Sequence, residues 1–214
     1  MRYALPKKLH ESLKADLLHM GDNMDYLMLV DKFNTVPDGF EKTISLEDVQ
    51  GKLLESQACR QCKLLLKDAE HDGIKIKVLS AYRSCDYQQT LWEKSISERI
   101  GSGMSYNDAV NDTSRTLAKA GHSEHNCGLA VDFATPLADD TEDNFYTTPQ
   151  GRWLCLNAHK YGFILRYPRM KEHYTGIDYE PWHYRYVGTE AAEFIRKSGL
   201  CLEEFLHFYS EKFI

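Results

Sequence analysis

No stretch of this chain holds the roughly 20 consecutive apolar residues that a membrane-spanning helix needs. The opening "MRYALPKKLHESLKADLL" lacks the apolar core and small-residue cleavage site of a secretory leader. Basic surplus is missing too: 26 Lys and Arg against 32 Asp and Glu leave a formal charge of −6 with no basic stripe, which argues against a nucleic-acid partner. Cysteine is sparse, six in 214 residues, too thin for a disulfide-stapled secreted domain. Reduced thiols and a cytoplasmic site of action are therefore expected of the sequence as given; a leader or anchor beyond it would shift the expectation to the cell wall. Internal repeats and low-complexity tracts are absent as well. A chain this long can bury a full core without a metal staple, so any metal would serve chemistry rather than folding.

What is present alternates helix and strand signals. Ser45 with Asp48 has the form of a helix N-cap, and Leu46, Val49, Leu53, Cys59, Cys62, Leu66 and Ala69 roughly keep a helical period, predicting one helix up to Gly73. Cys59 and Cys62 fall on its apolar stripe as buried thiols, with no second CxxC to complete a zinc site. "IKIKVLS" (74–80) alternates as a strand with one wet face and delivers "AYRS" at its end. Asp86 with Gln89 opens a helix stopped by the loop from Gly101 to Gly103, and another is expected from about Tyr106 to Ala120. Then come a strand at "GLAVDF", an acidic loop read as solvated rather than as a lid, and a helix opened by Thr148 and Pro149 and closed by Gly162. "FILRY" and "WHYRYV" read as short strands, "TEAAEFIRKSG" and "LEEFLHFYSEKF" as closing helices. The pattern predicts a single α+β domain with a central, mainly antiparallel sheet flanked by helices.

"GHSEHNCGLAVDF" (121–133) crowds five possible metal ligands into one run. On a strand, Asp132 shares a face with Ala130 and opposes Leu129, Val131 and Phe133, so its carboxylate points away from the large apolar side chains. Gly128 permits the sharp backbone change that would bring His125 back beside Asp132. A catalytic zinc site wants a third ligand and an open position for water. "YEPWHYRYV" offers His183 on a strand and Glu180 three residues earlier, a carboxylate that could act as a general base without being a ligand. Arg83, after the 74–80 strand, could stabilise an oxyanion, and Gln88 could bond the same ligand. On spacing alone a surface ion pair for Arg83 and a packed core histidine for His183 stay open.

Four segments together resemble a known family: "SAYRSCDYQ" (80–88), "HSEHNCGLAVDF" (122–133), "YGFILRYP" (161–168) and "TGIDYEPWHYRYVG" (175–188). They are similar to the zinc D-Ala-D-Ala carboxypeptidases of the VanY and VanXY type, within the lysostaphin-like and hedgehog-like metallopeptidase superfamily. The resemblance covers roughly residues 25 to 205, leaving 1–24 as an N-terminal extension to a catalytic domain at 25–214. It implies the D-Ala-D-Ala peptidase fold, one catalytic Zn2+ held by His125, Asp132 and His183, and Glu180 as catalytic base. Arg83 matches the arginine that polarises the scissile carbonyl or holds the peptide end, and Ser123, Gln88 and Tyr167 match positions that contact the substrate's terminal carboxylate. The implied substrate is a peptidoglycan stem peptide or a D-Ala-D-Ala precursor, cleaved without an acyl-enzyme. His122 is read as a bystander, Cys127 as a small buried thiol and Glu124 as a cap or a solvated group. An L,D-carboxypeptidase or an endopeptidase on the same site are the rival activities, and a non-catalytic zinc module the rival class.

Overall fold

The computed structural model describes residues 26–213, so the expected extension at 1–24 lies outside the described residues. Among the described residues, six strands and seven α-helices alternate with short 3-10 turns. A hairpin of β1 (Leu46–Val49) and β2 (Lys52–Glu55) leads into α1 (Ser56–His71) and then β3 (Lys77–Ser80). Next come α2 (Cys85–Gly101), α3 (Tyr106–Thr113) and β4 (Ala130–Ala134). After them follow α4 (Pro149–Asn157), β5 (Phe163–Leu165), the single turn α5 (Glu172–Thr175), β6 (His183–Tyr186), α6 (Thr189–Ser198) and α7 (Leu202–Phe213). The four-stranded sheet runs β3-β4-β6-β5, every pair antiparallel, which bears out the α+β expectation. Among the described residues no helix is long and apolar enough to cross a membrane.

The single helix expected between Ser45 and Gly73 is a hairpin followed by a helix. Gln50 and Gly51 both adopt positive φ, 54° and 76°, which no α-helix can pass through and which the tightest two-residue hairpin turn requires. Leu46, Val49 and Leu53, whose spacing mimics a helical stripe, are strand residues instead. The Gln50 side chain then ties the turn to the β3 side, donating to Ile76 O and accepting from Val78 N at 3.1 and 2.9 Å. Glu55, not Ser45, caps α1, its carboxylate accepting from Gln57 N and Ala58 N. Other boundaries move as well: α2 is capped by Ser84 rather than Asp86, α3 ends at Thr113, the strand expected from 74 starts at Lys77, and α4 ends at Asn157 with a 3-10 turn carrying the chain on to Gly162. Beyond α3 the Ala118 carbonyl accepts from Gln88 Nε2 at 2.7 Å instead of continuing a helix.

Alternation along the strands assigns the two sheet faces. Val131, Phe133, Phe163, Tyr184 and Tyr186 join the main core with Ala58, Cys59, Cys62 and Leu65 of α1. Phe133 meets Phe163 and Tyr184 edge to face, a packing worth about 0.5–1.5 kcal/mol per pair beyond area burial. Both α1 cysteines are fully buried free thiols, as their place on the apolar stripe predicts. The opposite face presents Asp132, His183 and Arg185. Ile164 on that side packs with Ala191, Ala192, Ile195, Leu202 and Phe205 of the two closing helices. The acidic loop at 138–143 is largely exposed, as expected of a solvated segment.

Candidate metal centre

Asp132 and His183 are direct partners across β4 and β6, so the register alone puts the carboxylate beside the imidazole. His125 arrives from the 3-10 turn Glu124–Cys127 just before β4. Gly128 ends that turn at φ 69°, and a Cβ there would run into the Ile44 side chain, so only glycine lets the chain double back into the strand. His125 Nε2 lies 3.2 Å from Asp132 Oδ2, and His183 Nδ1 lies 3.0 Å from Asp132 Oδ1. The two rings stand perpendicular at 89°. All three side chains are buried, and one donor atom from each falls within 4.8 Å of the others.

The donor set fits a cation. Asp132 Oδ1 is buried without a hydrogen-bond partner, because the approach of His183 Nδ1 lacks hydrogen-bonding geometry. Each histidine turns its other nitrogen outward: His125 Nδ1 is 2.6 Å from Ala81 O, and His183 Nε2 is 3.4 Å from Glu124 Oε2. A carbonyl only accepts, so His125 Nδ1 bears the proton and Nε2 presents its lone pair inward. Two imidazoles and a carboxylate with outer nitrogens already engaged match the ligands of a catalytic zinc site.

Without a metal, the electrostatics treat the two histidines differently. Burial, aided by Arg83, lowers the His125 pKa and favours the neutral ligand form. Burial alone would raise Asp132, but His125 and His183 hold its carboxyl well below the usual range. Burial would likewise lower His183, yet the carboxylates of Asp132 and Glu124 raise it to about 9. Glu180 is pushed up to about 8, mainly by burial.

The remaining expected residues gather around this centre. Glu180 Oε2 sits 3.6 Å from His183 Nδ1, near the ligand atoms yet outside the converging triad. Arg83 bonds Asp132 Oδ2 at 2.8 Å, Ser80 Oγ at 3.0 Å and Gln88 Oε1 at 3.4 Å, so Arg83 and Gln88 form one chain ending on the carboxylate. Ser123 is buried and its hydroxyl accepts from His125 N. Tyr167 lays its ring 4.8 Å from that of His183 and lines a neighbouring cavity of about 240 Å³, together with Trp92, Leu117, Lys119, His122 and Ile177. His122 accordingly stands beside the centre, and Cys127 is a buried thiol donating to Glu124 O, both as expected. Trp182 packs half-buried against the main core.

Glu124 departs from expectation. It is neither a cap nor solvated but 1% exposed, with Oε1 accepting from Arg166 Nε and Arg185 NH1 at 2.7 Å each. Burial would raise its pKa, but the two guanidiniums hold it well below the usual range. The sequence does contain a signal for this. Arg185 lies two residues after His183 on the same strand, hence on the ligand face, and a buried arginine there needs an acid.

Residues 51–189 match the family model VanY, D-alanyl-D-alanine carboxypeptidase. The chain belongs to this family. It is 35% identical over 199 residues to a D-alanyl-D-alanine carboxypeptidase of Enterococcus faecalis, covering 92% of this chain and 72% of that protein. Two solved VanY structures superpose with TM-scores of 0.76. One is a mutant D,D-pentapeptidase from a VanB-type resistance cassette in complex with Zn(II), 35% identical, covering 86% of this chain and 99% of that one. The other is VanYB in complex with D-alanine-D-alanine, 36% identical, covering 85% and 97%. The LdcB LD-carboxypeptidase also superposes, with a TM-score of 0.73 and 32% identity over 85% of this chain and 86% of that one.

Proposed function

We propose that this VanY-family protein is a zinc carboxypeptidase that removes the C-terminal D-alanine of peptidoglycan precursors or stem peptides ending in D-Ala-D-Ala, with His125, Asp132 and His183 as the metal ligands. The observation that carries the reading is the buried convergence of one donor atom each from His125, Asp132 and His183, with the Glu180 carboxyl beside them. When bound, zinc supplies a Lewis acid that acidifies water and polarises a carbonyl. Glu180 Oε2 takes the proton of the attacking water and returns it to the leaving amine of D-alanine. Its place beside the ligand atoms, 3.6 Å from His183 Nδ1 yet outside the ligand set, suits a base acting on water at the metal. Arg83, anchored on Asp132 and Ser80, directs its guanidinium at the developing oxyanion. Ser123 and Tyr167 hold the terminal carboxylate, the fully buried Gln88 acts through Arg83, to which its Oε1 is bonded, and the adjoining cavity receives part of the peptide.

The catalytic unit comprises residues 25–214, with 1–24 as an extension. Six unpaired cysteines, with Cys155 exposed, favour action in a reducing compartment such as the cytoplasm, which cell fractionation tests. The likeness to LdcB supports a second reading, an L,D-carboxypeptidase. Peptides ending in D-Ala-D-Ala, in L-Lys-D-Ala and in an amidated D-Ala separate the two. The first is cleaved and the amide spared under the main reading; preference for the second peptide establishes the alternative, and cleavage of the amide rejects both.

A further inference from the structure

The two oxygens of Glu124 are divided between different tasks. Oε1 takes both arginine hydrogen bonds, whereas Oε2 is left for His183 Nε2 at 3.4 Å. A carboxylate buried only to neutralise two arginines would have no reason to keep its second oxygen on a metal-ligand ring. We infer that Glu124 is the positioning residue of His183: it accepts the Nε2 proton, fixes the tautomer and ring plane, and so presents Nδ1 to the metal. His125, by contrast, is oriented by a neutral backbone carbonyl, Ala81 O. The two ligands therefore differ in basicity, since a carboxylate partner strengthens an imidazole ligand more than an amide does.

The clamp on Glu124 is itself anchored from both ends of the described chain. Arg166 also bonds both carboxylate oxygens of Glu203 on α7, at 3.0 and 2.7 Å. Arg185 NH2 donates to Tyr26 O and Met28 O at 3.1 and 2.8 Å. Two arginines and two glutamates thus form a neutral cluster, and Glu203, Tyr26 and Met28 all lie outside the 51–189 segment that matches the family model. Glu203 thus helps neutralise the cluster, while the contact to His183 is made by Glu124 Oε2 alone.

This inference rests on His125, Asp132 and His183 being the zinc ligands, and the test separates the two. In zinc-loaded wild-type protein with 15N-labelled histidine, His183 should show a slowly exchanging Nε2–H and a metal-shifted Nδ1, and His125 the reverse. Zinc affinity, read by competition with a chromogenic chelator, should weaken about 10- to 100-fold in Glu124→Gln. Glu203→Gln, which removes one charge from the same cluster without touching His183, should lower the melting temperature and move the zinc affinity by less than about threefold. Coordination of His183 through Nε2 overturns the inference, as does a folded Glu124→Gln protein with unchanged affinity or an equal loss in both variants. If Glu124→Gln does not fold, the wild-type spectra alone decide. Absence of any zinc binding would reject the ligand set instead.

Discussion

At the scale of single residues, Glu180 is the sharpest point of leverage. Its carboxyl rises from an ordinary 4.5 to about 8 because burial penalises the charge, with Asp132 adding to the effect while His183 and Arg83 oppose it. Glu180→Gln keeps the size of the side chain but cannot move a proton, so turnover should fall about 10²- to 10⁴-fold with zinc still bound. Steady-state assays alongside metal analysis check this. The same shift predicts a stability effect in metal-free protein. The folded chain holds the Glu180 proton more tightly than the unfolded chain, so this group's contribution is retained below 4.5 and lost as pH rises toward about 8. The metal-free Glu180→Gln variant should therefore melt above metal-free wild type at pH 8 and close to it at pH 4.5, which thermal scans at the two pH values measure. Much of this site was legible in the sequence: the strand parity of Asp132 and the glycine at 128 already bring His125 and Asp132 together. His183 could be named from its residue chemistry as a candidate third ligand, but its assignment came from the family resemblance, because the β4–β6 register is a long-range contact that no local pattern encodes.

At the scale of elements, the turn that carries His125 depends on backbone freedom at one position. Gly128→Ala would hold a side chain at φ 69° and press its methyl into Ile44, and it should cost about 1–3 kcal/mol. Urea unfolding measures the loss, and zinc affinity should fall with it because the turn aims His125. The β1–β2 hairpin shows how element type escapes a periodicity argument. Leu46, Val49 and Leu53 satisfy a helical stripe as readily as a hairpin when only spacing is counted, and the deciding feature is the Gln50-Gly51 turn with two positive φ values. The strands β3, β4, β5 and β6 were each legible because alternation or aromatic and β-branched content marks them locally.

At the scale of the whole molecule, the closing helices do more than cover the sheet. Phe205 is fully buried between α7 and α6, and α7 also supplies Glu203 to the arginine that grips Glu124. Phe205→Ala should destabilise the protein by about 3–5 kcal/mol. Equilibrium denaturation gives the value, and a loss under 1 kcal/mol would argue that α7 is peripheral. The cluster of buried Glu124, Arg166 and Arg185 with half-buried Glu203 was the least legible part of the fold, since its members are 18 to 79 residues apart in sequence and charged residues ordinarily lie at the surface.

The most direct measurement is D-alanine release from a peptide ending in D-Ala-D-Ala by chelator-stripped protein titrated with zinc. With a single converging triad among the described residues, release should be absent without metal and climb to a plateau at one ion per chain. In Glu180→Gln the metal should load to the same stoichiometry while release stays near background. Equal release by stripped and zinc-loaded protein would contradict zinc peptidase chemistry at His125, Asp132 and His183.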